Sequence, residues 1–231
     1  MSLPSGSLAF ELTPSPSALG HRTLADNVAE ALHQAILRGE YPAGTWLRIQ
    51  DLAATFETSS MPVREALRRV AALGLVEVVP HRGARVVELS VADLEDTYRT
   101  RRVIEGALVG EAAREFTAET EAAAAAALEE HERLIDAGSV EAARQAHTAF
   151  HFAIYRASQS RWLLRSLEPV WQNSERYRFA SPADTSARSR SHQEHTEILQ
   201  ACADRDADRA RHAIELHLDG AVRRIRGAMS V

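Results

Sequence analysis

Apolar residues recur at helical spacing from about Thr23 to Arg38, at Leu24, Val28, Ala31, Leu32, Ala35 and Ile36, and the pattern closes on Gly39. The turn residues "YPAG" follow. A second short helix fits 49–56, with Leu52, Ala53 and Phe56 inward, and a third runs from about Met61 to Leu73 and stops at Gly74. Two runs rich in β-branched residues, "LVEVV" and "ARVVEL", are joined by "PHRG" and predict a β-hairpin. Beyond Ser90 no strand signal remains. Helical patterns occupy roughly 91–115, 118–137, 139–158, 161–179, 185–203 and 206–228, broken at Gly138, at 158–160, at "SPAD" and at "DRD". Six helices with short breaks predict an antiparallel α-helical bundle. The fold class is therefore mainly α, with a small hairpin, and the chain divides into an N-terminal arm (1–20), a head (21–89) and an all-helical body (90–231).

Composition narrows the setting. A chain of 231 residues, 45% hydrophobic and 26% charged, is long enough for two modest cores in a soluble protein. No run of about 18 apolar residues is present, so no membrane span is predicted. The first twenty residues lack the basic start and apolar run of a secretion signal and read as a mobile arm rich in Ser and Pro. Cys202 is the only cysteine, which excludes an intrachain disulfide and suits a reducing cytoplasm. The net charge of −5 does not announce a nucleic-acid partner, so the local distribution of charge must carry that argument. All 27 basic residues are arginine, the side chain suited to bidentate recognition of phosphate, carboxylate and guanine edges.

Three short helices followed by a hairpin describe a winged helix-turn-helix, a DNA-reading module. On the third helix Val63, Ala66, Leu67, Val70 and Leu73 form the buried stripe, which leaves Met61, Arg64, Glu65 and Arg68 on the opposite face. Ser59 or Ser60 is placed to cap it, with Pro62 in its first turn. His81 and Arg82 stand at the tip of the wing. Residues 64–85 hold five arginines against two acids.

The body's chemistry lies in its histidines. In "QAHTAFHFAIYRAS", His147 and His151 are about 40° apart on the helical wheel and flanked by Phe150 and Ile154, so they face the core. His195 shares a face with Ile198, Leu199 and Cys202, and His217 one with Ala210, Ala213, Ile214 and Ala221. Each ring alone reads as a hydrogen-bonded core histidine. Four inward rings on three helices each need a partner for a polar nitrogen, and a metal ion would satisfy all four. Imidazole favours Zn, Ni, Cu and Fe over Mg or Ca. His192 and His212 are alternative ligands, and Cys202 reads as core.

The stretch "LHQAILRGEYPAGTWLRIQDLAATFETSSMPVREALRRVAALGLVEVVPHRGARVVEL" resembles the GntR family of bacterial transcription regulators across the whole head. The resemblance implies DNA contacts at Gln50, at Ser59, Ser60 and Met61, at Arg64, and at His81, Arg82 and Gly83; Arg68 joins them from its place on the same helix face. Two positions depart from the family pattern, Glu57 where glycine is usual and Ser60 where arginine is common. Serine cannot make the bidentate guanine contact of arginine, which implies a different operator sequence. The body resembles the FCD effector-binding domain in its shorter, VanR-like six-helix form, through "RTRRVIEGALVGEAA", "H-x-x-x-H-F-A-I-Y-R-A-S" and "EHTEILQACADRDADRARHAIELHL". This second resemblance implies metal ligands at His147, His151, His195 and His217, with His147 standing where relatives carry aspartate. It also implies an effector carboxylate held by Arg101, whose other reading is an i,i+4 ion pair with Glu105.

A site of four neutral ligands leaves a dication its full charge, which favours an anionic effector and a transition metal, Zn or Ni foremost. The expected protein is a cytoplasmic, nucleoid-associated homodimeric regulator, a repressor in the family's commoner mode. It would bind a palindromic double-stranded operator under control of a small organic-acid or sugar-acid effector. Two other readings stand beside it. One is a metal-dependent enzyme in a helical bundle, which the absence of His-Glu-x-x-His and of an evident carboxylate base disfavours. The other is a constitutive DNA-binding protein with a purely structural bundle.

Overall fold

The structure, a computed structural model, describes residues 23–80, 82–181 and 188–229. The expected arm at 1–20 and His81 lie outside the described residues.

The head begins with α1 (Leu24–Leu37), closed at its start by a capping box: the Thr23 hydroxyl accepts from the Asp26 N–H at 3.2 Å, and the Asp26 carboxylate accepts from the Thr23 N–H at 2.8 Å. Helices α2 (Ile49–Thr55) and α3 (Ser60–Ala72) follow. Val63, Ala66, Leu67 and Val70 are buried at i, i+3, i+4 and i+7 of α3 and meet Val28, Leu32 and Ile36 of α1. The capping expected of Ser59 or Ser60 is not made. Ser59 has the extended backbone of an N-cap, but its hydroxyl forms no capping bond.

The predicted two-stranded hairpin is a three-stranded antiparallel sheet. Strands β2 (Val76–Val79) and β3 (Gly83–Val86) pair as expected, and β1 (Trp46–Leu47) adds to the other edge of β3 in the order β1-β3-β2. Two residues are too few to show a period of two, so β1 leaves no pattern in the sequence. Gly83 makes the third strand possible. Its φ is +110°, and a Cβ there would lie 2.3 Å from the Leu47 carbonyl oxygen.

The six body helices stand where the periodicity puts them: α4 (Val91–Arg114), α5 (Ala118–Asp136), α6 (Val140–Arg156), α7 (Arg161–Ala180), α8 (Arg188–Ala203) and α9 (Ala207–Met229). Helix α4, about 36 Å long, packs against α6, α7, α8 and α9 and is the bundle's central member. At Gly110 the Arg211 guanidinium crosses α4 so closely that a Cβ would sit 2.4 Å from its Nε. Head and body have separate cores. Ser90 N-caps α4 by accepting from the Asp93 N–H at 3.1 Å. Two side chains of α7 reach this junction: Tyr177 accepts from the Ser90 N–H and donates to Asp93 at 2.6 Å, and Arg176 donates to the Val87 carbonyl. Among the described residues no helix is long and apolar enough to cross a membrane.

Candidate functional site

The inward faces of three helices converge on one point. His147 and His151 come from α6, His195 from α8 and His217 from α9. Each offers one ring nitrogen such that all four atoms lie within 4.8 Å of one another. All four residues are buried. A first-row dication with nitrogen distances of about 2.0–2.1 Å spaces its donors about 2.9–4.2 Å apart. The 3.2 Å between the Nε2 atoms of His147 and His151 already lies in that range, so the cluster needs only a small contraction. The alternative ligands are elsewhere: His192 is half-exposed and faces Glu132 at 3.4 Å, and His212 is exposed. Cys202 packs in the bundle core, where burial pushes its thiol up to about 12 and leaves it inert.

Hydrogen bonds fix which nitrogen three of the four rings present. His217 turns Nδ1 to the Glu194 carboxylate at 3.0 Å, which leaves the Nε2 lone pair free. The Tyr155 hydroxyl donates to Glu105, so it accepts from His151 Nδ1 at 3.2 Å, and His151 likewise presents an Nε2 lone pair. Both nitrogens of His195 are buried without a partner. His147 is set the other way. Arg178 Nη1 lies 2.8 Å from its Nδ1, and a guanidinium can only donate. The proton of a neutral His147 therefore sits on Nε2 and points at His151. His151 and His217 thus present Nε2 lone pairs, His195 has both ring nitrogens unengaged, and His147 would present a lone pair from Nε2 only if Arg178 let go of Nδ1.

Burial is the largest cause holding His147, His151 and His195 well below the ordinary imidazole range, with neighbouring charges adding to it. His217 is lowered less because the Glu194 carboxylate opposes the effect of burial. The rings are neutral at physiological pH, as ligation requires.

A cavity of about 150 Å³ opens onto the cluster, bounded by Arg101, His131, His147, Arg178, His217 and Arg224. Arg101 thus lines the site, but its fork is engaged: Nε and Nη2 donate to the two Glu105 oxygens at 2.5 and 3.3 Å, and Nη1 donates to Ser174 at 3.0 Å. Its plane also lies over the Trp171 ring at 4.4 Å. The i,i+4 pair is what the structure forms. His131, Arg178 and Glu194 were not singled out from the sequence. The His131 ring stands 5.4 Å from the His147 ring.

On the head, Gln50, Ser59, Ser60, Met61, Arg64 and Arg68 are exposed around the N-terminal half of α3, and Arg82 is exposed on the wing. Gly83 is buried against β1. Among the described residues Arg64, Arg68 and Arg82 have no ion-pair partner, whereas Arg69 is bound by Asp26 and Arg85 by Glu88.

A winged helix-turn-helix joined to a helical bundle with a polar pocket is the build of a ligand-responsive transcription regulator, and sequence comparison places the chain in one family of them. Residues 24–86 match the model of bacterial regulatory proteins of the gntR family, and residues 96–220 match the FCD domain. The chain belongs to the GntR family, in its FCD-containing group. It is 31% identical over 188 residues to the Nta operon transcriptional regulator of Aminobacter aminovorans, covering 78% of this chain and 86% of that one. It is 29% identical over 200 residues to the HTH-type transcriptional repressor GlaR of Escherichia coli K12, covering 81% and 89%. Among solved structures, McbR/YncC of E. coli superposes with a TM-score of 0.77 at 22% identity, covering 90% of this chain and 99% of that one. The family and these relatives are transcription regulators, so the enzyme reading is set aside.

Proposed function

We propose that the chain is a homodimeric repressor of the bacterial cytoplasm whose hold on a palindromic operator is set by a small organic-acid or sugar-acid effector. The effector binds at a transition-metal ion, Zn or Ni, held by His147, His151, His195 and His217. The observation that carries the metal reading is His195. A buried ring nitrogen without a partner is costly; both nitrogens of His195 are so placed, and one of them lies within 4.8 Å of a nitrogen from each of the other three imidazoles, where a metal would bind it. The metal would supply a fixed positive charge and open coordination positions for a carboxylate. Arg101, backed by the Trp171 ring, forms a preset wall of the pocket, and Glu194 and Tyr155 aim their histidines.

The DNA contacts we assign are Gln50, Ser59, Ser60, Met61, Arg64 and Arg68 around α3, with Arg82 on the wing. Their support is the set of unpaired exposed arginines, since DNA phosphates and guanine edges are the partners arginine takes in this setting. Gly83 acts by shaping the wing, and Met61, 66% exposed, is placed for a thymine methyl.

Control passes through α7. Ser174 and Arg178 touch the pocket side, while Arg176 and Tyr177 grip the junction with the head. One rigid turn therefore reports on both, and an effector that binds one setting of α7 better shifts the head with it.

Metal per chain, measured by elemental analysis after purification, should be close to stoichiometric in the wild type and lost in the double variant His151→Ala/His195→Ala. Equal content in both proteins would refute the metal site. In a gel shift at moderate salt, Arg64→Ala should lose operator retention; unchanged retention would refute the DNA face.

A further inference from the structure

Beside the histidine cavity, and sharing His131, Arg178, Ser191, Arg224 and Ile225 with it, lies a second cavity of about 780 Å³. That volume is in the range of small-molecule sites, about 300–1,000 Å³. Its charged lining is five arginines, Arg144, Arg178, Arg188, Arg223 and Arg224, against one carboxylate, Glu132. Three of these arginines are neutralised. Arg178 pairs with Glu175, Arg188 with Glu132 and Asp136, and Arg224 with Glu194. Arg144 and Arg223 have no ion-pair partner among the described residues.

Arg144 is the informative one. Its guanidinium is fixed, stacked 3.5 Å over the Phe179 ring and donating through Nη2 to the Arg178 carbonyl at 3.1 Å. Its Nη1 is closed off from solvent and has no hydrogen-bond partner. A half-buried, positioned and uncompensated cation is costly, and an anion in the cavity that Arg144 lines would offset that cost by its charge, without reaching the closed-off Nη1. Burial, and then the neighbouring Arg178 charge, already depress the Arg144 guanidinium, consistent with a missing counter-charge. Arg144 also precedes His147 by three residues on α6, about 4.5 Å of helical rise, on the same face.

We propose that this second cavity is an anion subsite continuous with the histidine pocket, so that the effector is an organic dianion. One carboxylate lies at the histidine cluster. A second acidic group, carboxylate or phosphate, is held by Arg144 and Arg223. The carbon skeleton between them runs along Ile135, Val140, Ala143 and Ile225. The inference rests on the effector reading above and sharpens it from an acid to a diacid.

The test is a calorimetric titration of the full-length, metal-loaded protein with matched pairs: succinate, adipate and suberate against butyrate, hexanoate and octanoate, and phosphogluconate against gluconate. At least one diacid should bind about tenfold or more tightly than its monoacid. The phosphogluconate pair tells a phosphate-preferring subsite from a carboxylate one. In Arg144→Gln, and in the exposed Arg223→Gln where folding is not at stake, that advantage should shrink towards the monoacid affinity while metal content and monoacid binding stay unchanged. Diacids that bind no better than monoacids, or an advantage that survives both substitutions, would overturn the subsite and leave the metal-centred effector reading standing. If the advantage persists in chelator-treated protein and still depends on Arg144, the subsite holds and the metal reading fails. Failure of every acid to bind would overturn both.

Discussion

Glu57 occupies a left-handed backbone conformation, φ +48°, between α2 and α3, a conformation that favours glycine. A non-glycine residue there costs about 1 kcal/mol, so Glu57→Gly should leave chemical-denaturation stability unchanged or raise it by up to about that amount. A loss of stability would show that the Glu57 side chain contributes something the backbone argument omits. The buried histidines make a prediction of opposite character. Their folded values are depressed, so the unfolded chain binds more protons as pH falls below the ordinary imidazole value of about 6.5. The stability of metal-free protein should be full above that pH and fall on acidification through it, by up to about 1.4 kcal/mol per pH unit for each ring that stays neutral. Urea melts of chelator-treated protein at about pH 7.5 and about pH 5.5 would measure this, and a flat profile would mean the rings are not neutral and buried together. At this scale the four histidines were legible because their neighbours at helical spacing are apolar. The roles of Arg178, Glu194 and His131 were not. Each depends on which face of one helix meets which face of another, and a single-helix wheel carries no such information.

At the scale of elements, eleven of the twelve described strands and helices sit within a few residues of where periodicity and Gly or Pro breaks put them, α3 among them although it starts at Ser60. The exception worth weighing is β1, which the sequence hides inside a turn between two helices. Its evidence is indirect: a glycine at position 83, where the Leu47 backbone passes too close for a Cβ. Gly83→Ala should cost roughly 2 kcal/mol or more, because the new Cβ meets the Leu47 backbone and the residue must hold φ +110°. Loss of β1 pairing should follow, read as faster amide exchange at Leu47 and Val86 and weaker operator binding. Wild-type exchange in the variant would mean the sheet can shift to accommodate the methyl group.

For the whole molecule the joint between head and body decides whether pocket and operator speak to each other. Tyr177→Phe removes the bonds to the Ser90 N–H and the Asp93 carboxylate. It should cost about 1 kcal/mol of stability and, more tellingly, should reduce the effector-induced change in operator affinity while each ligand alone still binds. An unchanged coupling would move the signal path away from α7. The division into a DNA-reading head and a helical body could be argued from the order of elements alone. How the two are joined could not, because Tyr177 and Ser90 are 87 positions apart in the chain.

The bond from Arg178 to His147 also sets a clock. A metal ion bound as proposed would find unengaged nitrogens at His151, His195 and His217, so that step should run at a rate proportional to metal concentration. Recruiting His147 requires the guanidinium to leave Nδ1 and a proton to leave Nε2. That second step has a rate of its own, indifferent to how much metal is present. Stopped-flow mixing of the metal-free protein should therefore show two phases, the slower one reaching a plateau, and Arg178→Gln should merge them.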